Sequence, residues 1–151
     1  VLLYEAGEGL RFDEFSVRAG VTGILRILHD KGMIPAKGIS RARRHPLLCP
    51  TSRWVRAPQG GILRTFRPEG AVVTKGDVMA IISDPFGEVE AEVRAPEDGI
   101  VLGRAVLPVV NEGDALFHLG AVISPEAAEA TVETLASQLE NDPLFDEDEI
   151  I

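Results

Sequence analysis

At 151 residues, with 45% apolar and 26% charged side chains, the chain has the make-up of a folded protein of about one domain's length. Fifteen acidic and fifteen basic residues balance up to Gly120; the whole net charge of −9 lies in the 31 residues that follow, which hold nine acids and no Lys or Arg. That leaves no cationic excess for nucleic acid, no apolar run nears the roughly 20 residues of a membrane span, and a lone cysteine excludes an internal disulfide.

The chain opens Val1-Leu2-Leu3-Tyr4-Glu5-Ala6-Gly7, without an initiator Met. An apolar run ending in a carboxylate and a glycine predicts a buried, parallel strand, which needs neighbours on both sides. A helix follows: Asp13 is placed to cap it, and Phe15, Val21, Ile24, Leu25 and Leu28 form its apolar stripe. Gly20 and Gly23 weaken it and allow two shorter pieces; Gly32 and Pro35 close it. One strand and one helix cannot complete an α/β domain, so residues 1–36 read as the end of a larger one. Residues 37–52 carry neither helical nor strand periodicity and read as a linker, with a small basic run at Arg41, Arg43, Arg44 and His45. Neither a charged leader segment nor a small-residue cleavage site opens the chain, and with one cysteine the expected compartment is the cytoplasm.

Residues 53–123 are organised by an internal repeat. Val55-Arg56-Ala57-Pro58-Gln59-Gly60-Gly61-Ile62 matches Val93-Arg94-Ala95-Pro96-Glu97-Asp98-Gly99-Ile100 at six of eight positions. Val72-Val73-Thr74-Lys75-Gly76-Asp77 matches Val109-Val110-Asn111-Glu112-Gly113-Asp114 at four of six positions after a one-residue slip. Each copy reads as strand, Pro-x-x-Gly turn, strand, Gly-Asp turn, strand. Val78 to Ile82 and Gly87 to Val93 are the clearest strands; in the second, Glu88, Glu90 and Glu92 alternate with Val89, Ala91 and Val93, a half-buried strand with an acidic outer face. Two copies imply two interlocked halves related by a pseudo-twofold, closing as a barrel or sandwich that hides most strand edges. Beyond them, Ser124-Pro125-Glu126 starts a helix with Val132, Leu135 and Leu139 on one face, and Asn141 to Ile151 is an acidic end.

The paired Ala-Pro-x-x-Gly and Gly-Asp motifs resemble the biotinyl/lipoyl carrier fold, a hammerhead of two half-barrels. Where a carrier places its modified lysine, this chain has Ser83-Asp84-Pro85-Phe86-Gly87; the domain's lysine, Lys75, falls at the Gly-Asp turn, which argues against a carrier role.

Residues 1–120 as a whole resemble the succinylglutamate desuccinylase/aspartoacylase proteins, zinc-dependent deacylases related to zinc carboxypeptidases. The resembling residues are Tyr4-Glu5-Ala6-Gly7-Glu8, Leu28-His29-Asp30-Lys31-Gly32-Met33, Trp54-Val55-Arg56-Ala57-Pro58, Lys75-Gly76-Asp77, Ile82-Ser83-Asp84-Pro85-Phe86-Gly87 and Pro108-Val109-Val110-Asn111-Glu112-Gly113-Asp114. The fold class expected is therefore mainly β: a lipoyl/biotinyl-like β-domain preceded by the strand-helix remnant of an α/β zinc-hydrolase domain and followed by a helix and acidic tail (124–151). The resemblance implies hydrolysis of an N-acyl amino acid or similar small substrate at one zinc, with Glu5 as general base and acid and Glu8 the second choice for that role. Arg11 is a candidate for holding a substrate carboxylate. The family's His-x-x-Glu pair and later His are absent: His29, His45 and His118 begin no such motif. The chain by itself is thus expected to be inactive, its zinc ligands and partner being its own missing N-terminal domain, with a homo-oligomer possible in addition. His29 suits the end of a helix, His118 a strand position, and Cys49 an inert linker site. The competing reading is a non-catalytic β-domain for oligomerisation or protein binding.

Overall fold

A computed structural model of the chain describes residues 1–7, 9–41, 46–88 and 90–141. Glu8, the basic positions Arg43, Arg44 and His45, the strand position Val89 and the acidic end from Asp142 lie outside the described residues. The chain divides into two units, Val1–His45 with Glu133–Ile151, and Pro46–Val132.

The second unit is the β structure. Its strands are β1 (Ser52–Arg56), β2 (Gly61–Thr65), β3 (Val72–Val73), β4 (Val78–Ser83), β5 (Glu90–Arg94), β6 (Gly99–Arg104), β7 (Val109–Val110) and β8 (Ala115–Ala121). They form two four-stranded sheets, β1-β8-β6-β3 and β5-β4-β2-β7, with every pairing antiparallel. Advancing each strand by four converts the first order into the second, so the sequence repeat is realised as two interlocked sheets. Both sheets are open, and no closed barrel forms: β1 and β3 end one and β5 and β7 end the other. Two-residue β3 and β7 are too short to carry a ladder around the edge.

A single core lies between the sheets. Phe117, Met79, Ile82, Leu116, Leu119, Val73 and Val101 are fully buried, joined by Leu63, Val93 and Val110. Met79 and Ala80 are consecutive yet both buried, as are Leu116 and Phe117, which period-two alternation forbids in a regular strand. Bulges explain it. The β4–β5 register shifts between Val78 and Ala80, and the β1–β8 register shifts opposite Val55 and Arg56, so Met79 and Leu116 are the extra residues at equivalent places.

The repeated motifs hold the halves together by exchange. Gly76 donates to Ala95 O at 2.8 Å and Ala95 to Asp77 O at 2.9 Å; in the other copy Gly113 donates to Ala57 O and Ala57 to Asp114 O, both at 2.9 Å. Arg94 Nη1 reaches Gly76 O at 2.7 Å and Arg56 Nη1 reaches Gly113 O at 2.8 Å. Each Arg-Ala-Pro thus clasps the Gly-Asp turn of the opposite half. Inside those turns Asp77 Oδ2 accepts from Thr74 N and Asp114 Oδ2 from Asn111 N. The Thr74 backbone N–H, reinforced by the Thr74 hydroxyl and the Arg67 guanidinium, holds the Asp77 carboxyl below its ordinary 3.8. Glycine is obligatory at the strand starts: a Cβ on Gly61 would lie 2.3 Å from Ser83 O, and one on Gly99 2.7 Å from Gly120 O.

In the first unit, α1 (Glu14–Asp30) is one continuous helix, not the two pieces that Gly20 and Gly23 allowed. Asp13 caps it, accepting from Phe15 N and from the Ser16 hydroxyl. Gly32 N donates to His29 O and Met33 N to Leu28 O, with Gly32 at φ 70°, a Schellman end. Gly20 is tolerated because it makes room: a Cβ there would lie 2.9 Å from Tyr4 Cε1. The strand expected at residues 1–5 does not form, since no described strand offers it a ladder, and Val1, Leu2 and Leu3 stay exposed. The strand expected from Gly87 begins only at Glu90, because Asp84 ties the preceding residues into a turn. Among the described residues, 37–41 and 46–51 carry no helix or strand. α2 (Pro125–Asn141) starts as expected, Ser124 Oγ accepting from Ala127 N, and the Glu126 carboxyl lies below its ordinary 4.5 through its own backbone N–H and that hydroxyl. Of its three expected apolar contacts, Leu139 is buried whereas Leu135 is 46% exposed; Ala128 supplies the buried position instead. No helix among the described residues is long and apolar enough to cross a membrane.

Candidate functional site

Glu5 lies between two fixed points. The Tyr4 hydroxyl donates to Ser16 O at 2.7 Å and its ring covers Gly20, which anchors the opening segment to α1. Gly7, at φ 78°, turns the chain away in a conformation other residues resist. The Glu5 side chain between them is exposed and forms no hydrogen bond or ion pair with any described residue, Arg11 included. Arg11, further along the same opening segment, is exposed as well.

The described cavity in this unit, of about 470 Å³, lies elsewhere, under the last turns of α1. Arg26, His29, Asp30, Ala36, Ile39, Ser40 and Arg41 line it. Arg26 spans it, donating from Nε to Ser40 O at 2.7 Å and from Nη2 to Ser40 Oγ at 3.0 Å. Gln138, buried, fixes the far wall by donating to Arg41 O at 2.9 Å. His29 closes the helix end with Nδ1 3.2 Å from Ile34 O. Sequence reading found His29 but not Arg26 or Ser40, because their contact joins a helix to a segment without periodicity.

His118 is a strand residue, as expected. Its ring stacks on Trp54, with centroids 4.5 Å apart and planes 13° from parallel, and Nε2 lies 2.9 Å from Ser52 Oγ. The β1–β8 register places Trp54 opposite His118, so this pair is a cross-strand contact. Cys49 is half-buried, its sulfur packed so closely on Gly120 that a Cβ there would lie 2.9 Å away. Among the described residues no three His, Cys, Asp or Glu side chains gather so as to hold a metal ion, and these residues do not fit a zinc site.

No family model and no curated protein matches the sequence. Solved structures match the fold. The ectoine utilization protein EutE (DoeB) from Ruegeria pomeroyi, in a product-bound structure, is similar over 74% of this chain and 35% of its own, at 22% identity and a TM-score of 0.64. A succinylglutamate desuccinylase/aspartoacylase from Rhodobacter sphaeroides is similar over 76% of this chain and 37% of its own, at 23% identity and a TM-score of 0.61. A succinylglutamate desuccinylase from Silicibacter sp. TM1040 gives 74%, 35%, 21% and 0.60. The chain thus spans about a third of the length of the structures it matches. The matched share exceeds what Pro46–Val132 alone contains, so the likeness extends beyond the β unit. The fold of this chain is the one found in structures of succinylglutamate desuccinylase/aspartoacylase proteins.

Proposed function

We propose that the chain is the carboxyl-terminal portion of a deacylase of the succinylglutamate desuccinylase/aspartoacylase family, one that hydrolyses the amide of an N-acyl amino acid or similar small substrate. The observation that carries this reading is the shared fold over about three quarters of the chain, more than the β unit alone. Within it, Glu5 is the proton shuttle: an exposed carboxylate, without a partner among the described residues, held between the anchored Tyr4 and the left-handed Gly7. A carboxylate so placed can take the proton of the attacking water and return it to the leaving amine. Arg11 is the candidate for a bidentate grip on a substrate carboxylate. On this reading any zinc is held by a part of the protein outside this chain, since His29, His45 and His118 begin no His-x-x-Glu pair, and the 151 residues alone are inactive. The β unit is read as a hammerhead-type scaffold on the strength of its interchanged sheets, and the compartment as cytoplasmic on that of its single cysteine.

The test uses the protein that contains this chain, assayed against a panel of N-acyl amino acids. Glu5→Gln is expected to lower kcat by about 10²- to 10⁴-fold with bound metal unchanged. A variant with near-normal kcat overturns the role of Glu5. A parent protein that cleaves no N-acyl amide overturns the deacylase reading itself.

A further inference from the structure

The turn between β4 and β5 is built to present one side chain. Asp84 Oδ1 accepts from Phe86 N at 3.2 Å and from Glu88 N at 2.8 Å, Gly87 N donates to Asp84 O at 3.2 Å, and Gly87 takes φ 74°. On top of this closed turn Phe86 is 85% exposed. A single exposed apolar residue is ordinary on a protein surface. A pre-ordered one differs, because fixing the turn in advance removes the ordering cost that binding would otherwise incur. Aromatic side chains bring a large apolar area and dominate the energetics of interfaces.

Its place in the fold and its charge say what it meets. The four-strand advance that relates the two sheets maps the β4–β5 connection onto the segments that enter β1 and leave β8. The twofold sends those to the opposite end of the β unit, so Phe86 projects from the end away from the unit's own chain connections. Residues 84–92 carry four acids and no base, whereas residues 26–45 carry six Lys or Arg and one acid. The cavity under α1 lies in that basic stretch: Arg26, His29 and Arg41 line it with one acid, Asp30, and Ala36 and Ile39 give it apolar wall. At about 470 Å³ it has room for a phenyl ring.

We propose that the Phe86 turn docks on a second copy of this chain, the ring entering the α1 cavity while Glu88 faces the cationic rim at Arg41. The inference is independent of the deacylase reading. It is tested by sedimentation velocity on the chain from about 5 to about 200 μM, in about 50 mM and about 500 mM salt. The chain associates in low salt and dissociates in high salt. Phe86→Ser weakens association by at least about tenfold without moving the thermal midpoint. Glu88→Arg and Arg41→Glu each weaken it, and the two in one chain restore part of the loss, which a merely disturbed fold would not do. A chain that remains monomeric across the range overturns the proposal. So does a Phe86→Ser variant that associates like the parent, or a double variant no better than its singles.

Discussion

The two units solve the burial of apolar side chains differently. Pro46–Val132 does so internally: its two sheets enclose one core, and the residues that break alternation, Met79 and Leu116, are accommodated by matched bulges. The opening segment does not. Leu2 and Leu3 remain 84% and 83% exposed, and Ile24 on α1 is 59% exposed, although helix capping and termination are fully made. Local signals are thus enough to form a helix with correct ends, whereas burying a strand requires partners that pair along its whole length. An apolar pattern names a face, and only tertiary structure supplies what lies against it.

The largest effect expected is in the β unit. Phe117→Ala removes a side chain with no exposed surface from the shared core and should cost about 3–5 kcal/mol, seen in chemical denaturation as a lowered midpoint or as failure to fold. If the loss is small, the two sheets do not depend on one another through that core.

A smaller effect separates the two Gly-Asp turns. Asp77 has Arg67 as an additional neighbour, with Nη2 3.5 Å from Oδ2. Its folded carboxyl lies below 3.8, so its contribution is complete above the unfolded value and is lost as pH falls through the folded one. Asp77→Asn should lower the thermal midpoint at pH 7, and the gap from the parent should close as pH drops below about 3.8. A gap that persists at pH 2 assigns the effect to shape rather than to charge.

The smallest effect lies in the opening segment. Gly20→Ala adds helix propensity worth about 1 kcal/mol, and its Cβ would crowd the Tyr4 ring at 2.9 Å. Since Tyr4 is itself 59% exposed, the ring should yield: helix content by circular dichroism rises slightly while the Tyr4 to Ser16 bond is lost, visible as faster hydrogen exchange in residues 1–7. Unchanged exchange there means Tyr4 does not anchor the segment that carries Glu5.

Much of this was legible in the residues. The doubled Val-Arg-Ala-Pro and Gly-Asp motifs announced the twofold before any strand was paired, because each turn demands its own residue types wherever it occurs. Asp13, Gly32 and Ser124 marked helix ends correctly, for capping is decided within four residues. What could not be read were the contacts between distant segments. The register that sets Trp54 against His118, the strand starts where only Gly61 and Gly99 fit, and the hold of Arg26 on Ser40 all depend on atoms brought together by the fold. The choice of two open sheets over a closed barrel belongs to the same class. Edges close only when the last strands are long enough to pair, and the two-residue β3 and β7 end the ladders there. Composition and local spacing therefore determined the elements and their symmetry, because those follow from neighbours in the chain. Pairing, burial and the position of each candidate group were decided by tertiary structure, because those follow from neighbours in space.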